Sequence, residues 1–98
     1  MDFGSNLRVA LDSGQVVLGT GRSKKLALNG EGKLVVVANN AEKEVMQDLR
    51  RYSTLNNLKF YVFQGSSMEL GRLCGKPFPV QSLVIVNEGS SNVLEVVN

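Results

Sequence analysis

Residues 19–25, Gly-Thr-Gly-Arg-Ser-Lys-Lys, hold two glycines, two hydroxyl side chains and three cations within seven positions. They follow the apolar run Val16-Val17-Leu18 and precede Leu26-Ala27-Leu28. Strand, glycine turn, then helix start is an order that aims backbone N–H groups and cations at one spot outside the fold. The first N–H groups of a helix lack intrahelical partners and carry partial positive charge, so such a spot attracts anions. Two further stretches carry comparable chemistry. Asn39-Asn40 closes the run Leu34-Val35-Val36-Val37-Ala38, and its amides can donate to and accept from base edges, although paired asparagines are also ordinary turn formers. Lys76-Pro77-Phe78-Pro79 sets an aromatic between two prolines beside a cation, which suits stacking on a splayed base and equally suits a core anchor.

Competing chemistries fare worse. There is no histidine, which removes the commonest general base and metal ligand. One cysteine, Cys74, can form neither an internal disulfide nor a zinc site, and it follows Leu70 and Leu73 as a packed apolar residue would. A single cysteine suits a reducing cytoplasm. Glu42 and Glu44 flank a solvated helix start rather than forming an acid–base pair. Walker and dinucleotide loops both fail on spacing, because one residue separates Gly19 from Gly21 and Lys24 stands where a third glycine is needed. The reading is therefore a protein that is not an enzyme and carries no metal or cofactor. An anion- or nucleotide-binding module remains the rival from another class.

Charge distribution favours RNA. Net charge is only +2, yet no acid falls between Asp12 and Glu31, where Arg22, Lys24 and Lys25 sit. None falls between Glu69 and Glu88 either, where Arg72 and Lys76 sit. Two positive stretches thus stand out of an otherwise slightly acidic chain. Arg22, Lys24 and Lys25 would neutralise phosphates, with Lys24 serving every RNA about equally.

The elements that position these residues follow from pattern. At 98 residues and 43% apolar composition, the chain has the size of one domain spanning 1–98 with one core. No apolar run is long enough for a membrane helix, and the N-terminus lacks the basic start and apolar stretch of a secretory signal. Phe3, Leu7, Ala10 and Leu11 form a helical stripe ending at Ser13-Gly14. A second helix starts at Thr20 or Gly21 and ends at Asn29-Gly30. The β-branched run over 33–38 reads as a strand covered on both faces. A helix over roughly 42–55 turns Val45, Leu49 and Tyr52 inward, and Phe60-Tyr61-Val62-Phe63 is the next strand, giving a parallel crossover unit. Ser66 and Glu69 have capping-box spacing, predicting a short helix to about Leu73. Leu83–Val86 is a strand, and Val93–Val97 reads as a last, edge-like strand. The fold class is α/β, a three-layer α-β-α sandwich with a mixed, mostly four-stranded sheet.

Nearly end to end, the chain resembles the thirty-e family of large-subunit ribosomal proteins of archaea and eukaryotes, within the seven-Ae kink-turn-binding superfamily. The resemblance rests on Leu18-Gly19-Thr20-Gly21-Arg22-Ser23, on residues 33–40, and above all on residues 61–71 (Tyr-Val-Phe-Gln-Gly-Ser-Ser-Met-Glu-Leu-Gly) with Gly75-Lys76-Pro77-Phe78. It implies a structural constituent of the cytoplasmic ribosome that binds a kink-turn in rRNA, an RNA duplex sharply bent at an internal loop, and stabilises its bent form. It implies contacts from Gly19, Thr20, Gly21, Arg22 and Lys25, then Asn40, then Lys76, Pro77, Phe78 and Val80. The implied protein is a monomer when free, with neighbouring ribosomal proteins as possible partners and no membrane partner. A kink-turn protein acting off the ribosome, in RNA processing or regulation, is the alternative. The family usually has a basic residue where this chain has Gly21, so that contact is either lost or taken over by Arg22. The seven-Ae branch carries Asn-Glu at the places of Gly21 and Arg22, and its absence speaks against guide-RNA assembly.

Overall fold

Leu34 to Ala38 forms the centre of the molecule because its side chains are apolar on both faces of a strand, and all five are buried. A computed structural model describes residues 2–97. In it the elements run α1 Phe3–Ser13, β1 Gln15–Leu18, α2 Thr20–Leu28, β2 Leu34–Ala38, α3 Lys43–Leu55, β3 Lys59–Phe63, α4 Ser67–Leu73, β4 Ser82–Asn87 and α5 Val93–Val96. The strands make one sheet in the order β1-β4-β2-β3, with β2 parallel to β3 and β4 antiparallel to both β1 and β2. The expected α/β sandwich with a mixed four-stranded sheet is the fold observed. No helix among the described residues is long and apolar enough to cross a membrane.

Strand alternation divides the core in two. Leu34, Val36 and Ala38 join Leu7, Leu70, Leu83 and Ile85 under α1, α4 and α5. Val35 and Val37 face the other way, with Val84, toward Ala27 of α2 and Val45 and Leu49 of α3. Each such aliphatic side chain contributes about 1.5–3 kcal/mol by leaving water, which is why the central strands set the register for everything around them. Phe3 anchors α1 onto the sheet, its ring 4.8 Å from that of Tyr61 and 5.8 Å from that of Phe63.

Local signals end the helices as expected. Ser66 caps α4, its hydroxyl accepting from the Glu69 N–H at 3.2 Å. At the other end Gly75 takes φ +73°, and the Gly75 and Lys76 N–H groups return to the Arg72 and Gly71 carbonyls at 2.9 Å each. That pair of bonds is a Schellman motif, and glycine suits it because a side chain is disfavoured at positive φ. It turns the chain sharply out of α4 into the segment that carries Phe78.

One element departs from expectation. The segment expected as an edge strand over Val93–Val97 is a turn of helix, α5, over Val93–Val96 with Val97 as its C-cap. The Asn92 carbonyl accepts from the Glu95 and Val96 N–H groups, and the Asn92 N–H donates to Asn6 Oδ1 of α1 at 2.9 Å. Val93, Leu94 and Val97 pack on the core while Glu95 and Val96 remain exposed. That is a helical face; a strand would have paired Glu95 with Val93 and Val97 on one side. Burial against α1 overrides the β-propensity of the valines.

Cys74 is buried in the α1/α4 core, and burial pushes its thiol up to about 11, with Lys76 only partly opposing the shift. The folded state therefore keeps the proton that an unfolded thiol loses near pH 8.5. Above that pH the unfolded chain binds fewer protons, so this group withdraws stability as pH rises toward 11 and has no effect below pH 8. Alkylation by iodoacetamide at pH 8, followed by mass spectrometry, should run on the order of 100-fold slower in buffer than in urea, since each pKa unit is a tenfold change in thiolate. Equal rates would place the thiol outside the core.

Candidate nucleic-acid interface

Three chain reversals meet at one end of the sheet. β1 and β2 finish there, at Leu18 and Ala38, and β4, antiparallel to both, begins there at Ser82. Backbone bonds tie the reversals together: the Gly19 N–H donates to the Ser82 carbonyl at 3.0 Å, and the Ala38 N–H to the Gln81 carbonyl at 2.8 Å. Gly19, at φ +108° with open space around it, swings the chain from β1 straight into α2. It is the N-cap of α2 but offers no side chain, so the first turn of that helix has no side-chain cap and no acid. Its N–H groups and the positive end of its dipole face outward at this edge. Thr20 stands beside them, its hydroxyl accepting from Ser82 Oγ at 3.4 Å.

The segment leaving α4 forms the facing wall. Lys76 is held by Gly71, as above, and Val80 donates its N–H to the Ser67 carbonyl at 2.9 Å. Between these ties the chain crosses α4 so closely that a Cβ on Gly71 would overlap the Phe78 carbonyl. Restrained this way, Phe78 stays half exposed (50%). Between this wall and α2 lies a cavity of about 530 Å³. Thr20 and Arg22 line one side, Lys76 and Phe78 the other, with the edge strand Val16–Leu18 and Gln81 below. Among the described residues, no group of three or more His, Cys, Asp or Glu side chains could hold a metal ion. An uncapped helix start, two cations and an exposed ring around one hollow suit a polyanion that also presents flat bases.

The family described as ribosomal protein L7Ae/L30e/S12e/Gadd45 matches residues 1–95. The chain belongs to this L7Ae/L30e family. Among its relatives, the protein named "Large ribosomal subunit protein eL30" of Methanocaldococcus jannaschii is 45% identical over 97 residues, covering 99% of this chain and 88% of the relative. The protein of the same name from Methanococcus maripaludis (strain DSM 14266) is 46% identical over 98 residues, covering 100% and 98%. That of Methanosphaera stadtmanae is 44% identical over 96 residues, covering 98% of each.

In this L7Ae/L30e-family chain the residues singled out from sequence divide into three groups. Gly19, Thr20, Arg22, Lys76 and Phe78 surround the cavity, and Pro77 is exposed on the same loop. Asn40, Gly21 and Lys25 are exposed but outside the cavity wall. Asn40 belongs to the same edge: its Oδ1 accepts from the Ser67 N–H at 2.8 Å. That bond occupies one lone pair of Oδ1, so the exposed Asn40 amide keeps its two Nδ2 donors and one acceptor position for a ligand. A Cβ on Gly21 would meet nothing within 4 Å.

Lys24 and Val80 form the third group, and the structure gives them other work. The Lys24 ammonium pairs with Asp48 Oδ2 of α3 at 3.1 Å, and the hydrogen bond to Asp48 raises its pKa. Its position one turn into α2 aims it at α3 instead of the open edge, a tertiary partner that charge counting could not see. Val80 is only 3% exposed and packs in the α1/α4 core, leaving almost no side chain for a ligand. Gln81 and Lys43 are the residues that sequence reasoning missed. Gln81 lines the cavity while its Oε1 accepts from the Glu42 N–H at 3.0 Å, joining the Phe78 loop to the start of α3. Lys43 is exposed in the first turn of α3. Only the paired acids Glu42 and Glu44 around it hid Lys43, while nothing in the sequence distinguishes Gln81 from any polar residue before a strand.

Proposed function

We propose that this chain is a structural constituent of the large ribosomal subunit, one domain over 1–98, that binds a kink-turn in rRNA and holds its bent form. The observation that carries the reading is the gathering, at one end of the sheet, of the uncapped α2 start, Arg22, Lys76, half-exposed Phe78 and the exposed, oriented amide of Asn40. The relatives named as large ribosomal subunit proteins support the ribosomal part.

The mechanism has two components. Arg22, Lys25, Lys76 and the α2 amides neutralise and position phosphates, which supplies affinity without base preference. Asn40 and Phe78 read what only a kinked duplex exposes: acceptor atoms on base edges, and the face of a base out of its stack. Because the walls are tied by backbone bonds before RNA arrives, little ordering entropy opposes binding. Gly21 adds close backbone approach and no charge. Lys24, held by Asp48, which also pairs with Arg51, touches no phosphate directly. On this reading the protein is cytoplasmic on the ribosome, a monomer when free, and works without cofactor or catalysis.

Binding to a kink-turn RNA and to a straight duplex of the same pairs, across a salt series, tests the reading. The parent should prefer the kinked RNA, and affinity should fall log-linearly with salt. Phe78→Ala should lose about 1–3 kcal/mol, the usual worth of a base stacked on an aromatic ring, with the salt slope unchanged. Undiminished binding by that variant would remove Phe78 from the interface. Co-sedimentation with large ribosomal subunits in high salt checks the ribosomal assignment.

A further inference from the structure

The chain's cations sort by what holds them. Lys24, Arg51 and Lys33 pair with carboxylates, Arg50 lies 4.9 Å over the Phe60 ring, and Lys59 donates to the Leu94 carbonyl. Arg22, Lys25, Lys43 and Lys76 have no ion pair among the described residues; Arg22, Lys43 and Lys76 belong to the end of the sheet just described, and Lys25 lies in the last turn of α2. Two other cations are equally unpaired, Arg8 of α1 and Arg72 of α4, and both are exposed. Arg8 lines one groove, and Arg72 immediately precedes Leu73, which lines it from the other helix. α1 and α4 come together where a Cβ on Gly4 would sit 3.3 Å from the Leu73 side chain, and beyond that point a groove of about 200 Å³ opens between them. Arg8, Leu11 and Asp12 line it from α1, and Leu73, Cys74 and Gly75 from the end of α4.

This groove adjoins the proposed RNA edge through the chain itself. Gly75 lines the groove, and the next residue, Lys76, lines the cavity. No acid falls between Glu69 and Glu88, so the segment from Leu73 to Gln81 that links groove to cavity carries no negative charge, and the nearest acid on α4 is Glu69, one turn before Arg72. Asp12 lies one turn beyond Arg8, toward the end of α1 away from the cavity, and closes the strip there. We infer that the RNA footprint continues from the Lys76–Pro79 loop onto this groove, where Arg8 and Arg72 take phosphates from a duplex arm flanking the kink. The inference rests on the RNA-binding reading above. Unpaired arginines on a protein surface repel one another and gain nothing from each other; beside a phosphate backbone each releases counterions.

The test uses the double variant Arg8→Gln/Arg72→Gln and three RNAs: a kink-turn with minimal stems, and two in which one stem or the other is lengthened by about one helical turn. The dependence of log affinity on log salt is measured for each. With one of the long-stem RNAs, the parent should show a steeper slope than with the minimal RNA. The double variant should lose that increment, a drop in slope of about 2 at roughly 0.9 per phosphate contact, and bind the minimal RNA as the parent does. Identical slopes for parent and variant on both long RNAs overturn the inference. An unchanged urea midpoint separates loss of contact from loss of fold. A parent that binds straight duplex as tightly as kinked RNA would instead count against the kink-turn reading, and the slope difference on duplex RNA would still decide whether Arg8 and Arg72 touch phosphate.

Discussion

Asn40→Asp is expected to lose the preference for kinked RNA while the protein folds nearly as the parent does. The two roles of this side chain are carried by its two ends. Oδ1 accepts from the Ser67 N–H at 2.8 Å and helps fix the start of α4, and a carboxylate oxygen can do the same. Nδ2 faces the open edge, where aspartate would place acceptors and a negative charge against RNA. A lost base-reading contact costs on the order of 1–3 kcal/mol, and repulsion by phosphate adds to it, so affinity should fall at least tenfold and more at low salt. Asn40→Ala differs in a useful way. It loses the contact without adding repulsion, but leaves the Ser67 N–H without its partner, at roughly 1 kcal/mol of stability as for a lost helix cap. Equilibrium urea denaturation and RNA titration on both variants separate the two effects. If Asn40→Asp binds the kink-turn as the parent does, the amide is not at the interface.

Gly71→Ala is expected to damage both stability and binding, although Gly71 lies on the far side of the loop from the cavity. Its missing side chain is what lets the Phe78 carbonyl rest on α4, and a Cβ there would overlap that carbonyl. Alanine in a helix is worth up to about 1 kcal/mol more than glycine, so propensity alone predicts stabilisation. Overpacking typically costs about 1–3 kcal/mol, and here the obstacle is backbone, which cannot rotate away. The loop must lift between its anchors at Lys76 and Val80, carrying Phe78 out of line. We expect lower stability and a tenfold or greater loss of kinked-RNA affinity, measured by thermal unfolding and titration. Gly21→Ala is the control for the stability measurement, since no protein atom lies within 4 Å of a Cβ there. A Gly71→Ala protein more stable than its parent would show the loop to be free of α4.

Much of this was legible in one dimension because it depends on neighbours in the chain. The stripe Phe3, Leu7, Ala10, the continuous apolar run of β2 and the Ser66 cap each encode an element through spacing and local hydrogen bonding, and those elements form as read. The alternation of helix and strand then allowed few arrangements other than a layered sandwich. Propensity failed at Val93–Val97, where three valines favour a strand locally but an exposed glutamate and a face packed on α1 require a helix.

At the site, residue types and spacing were enough to determine that this chain carries an anion-attracting glycine turn after its first strand, two acid-free positive stretches, and no histidine. Only the tertiary structure decided which of those charges remain available and how they are aimed. Phe78 could equally have been a core anchor, and it is the close approach over Gly71 that leaves it exposed. Lys24 is one of three cations close together in sequence, but Asp48, on a different helix, pairs with it and turns it from the edge. The Asn40 amide is oriented by a backbone N–H twenty-seven residues away, which takes one lone pair of Oδ1 and leaves both Nδ2 donors uncommitted to that bond. Each outcome turns on a partner distant in sequence. Composition records that a charge exists, whereas burial and hydrogen bonding across the fold decide whether it is spent internally or offered to RNA.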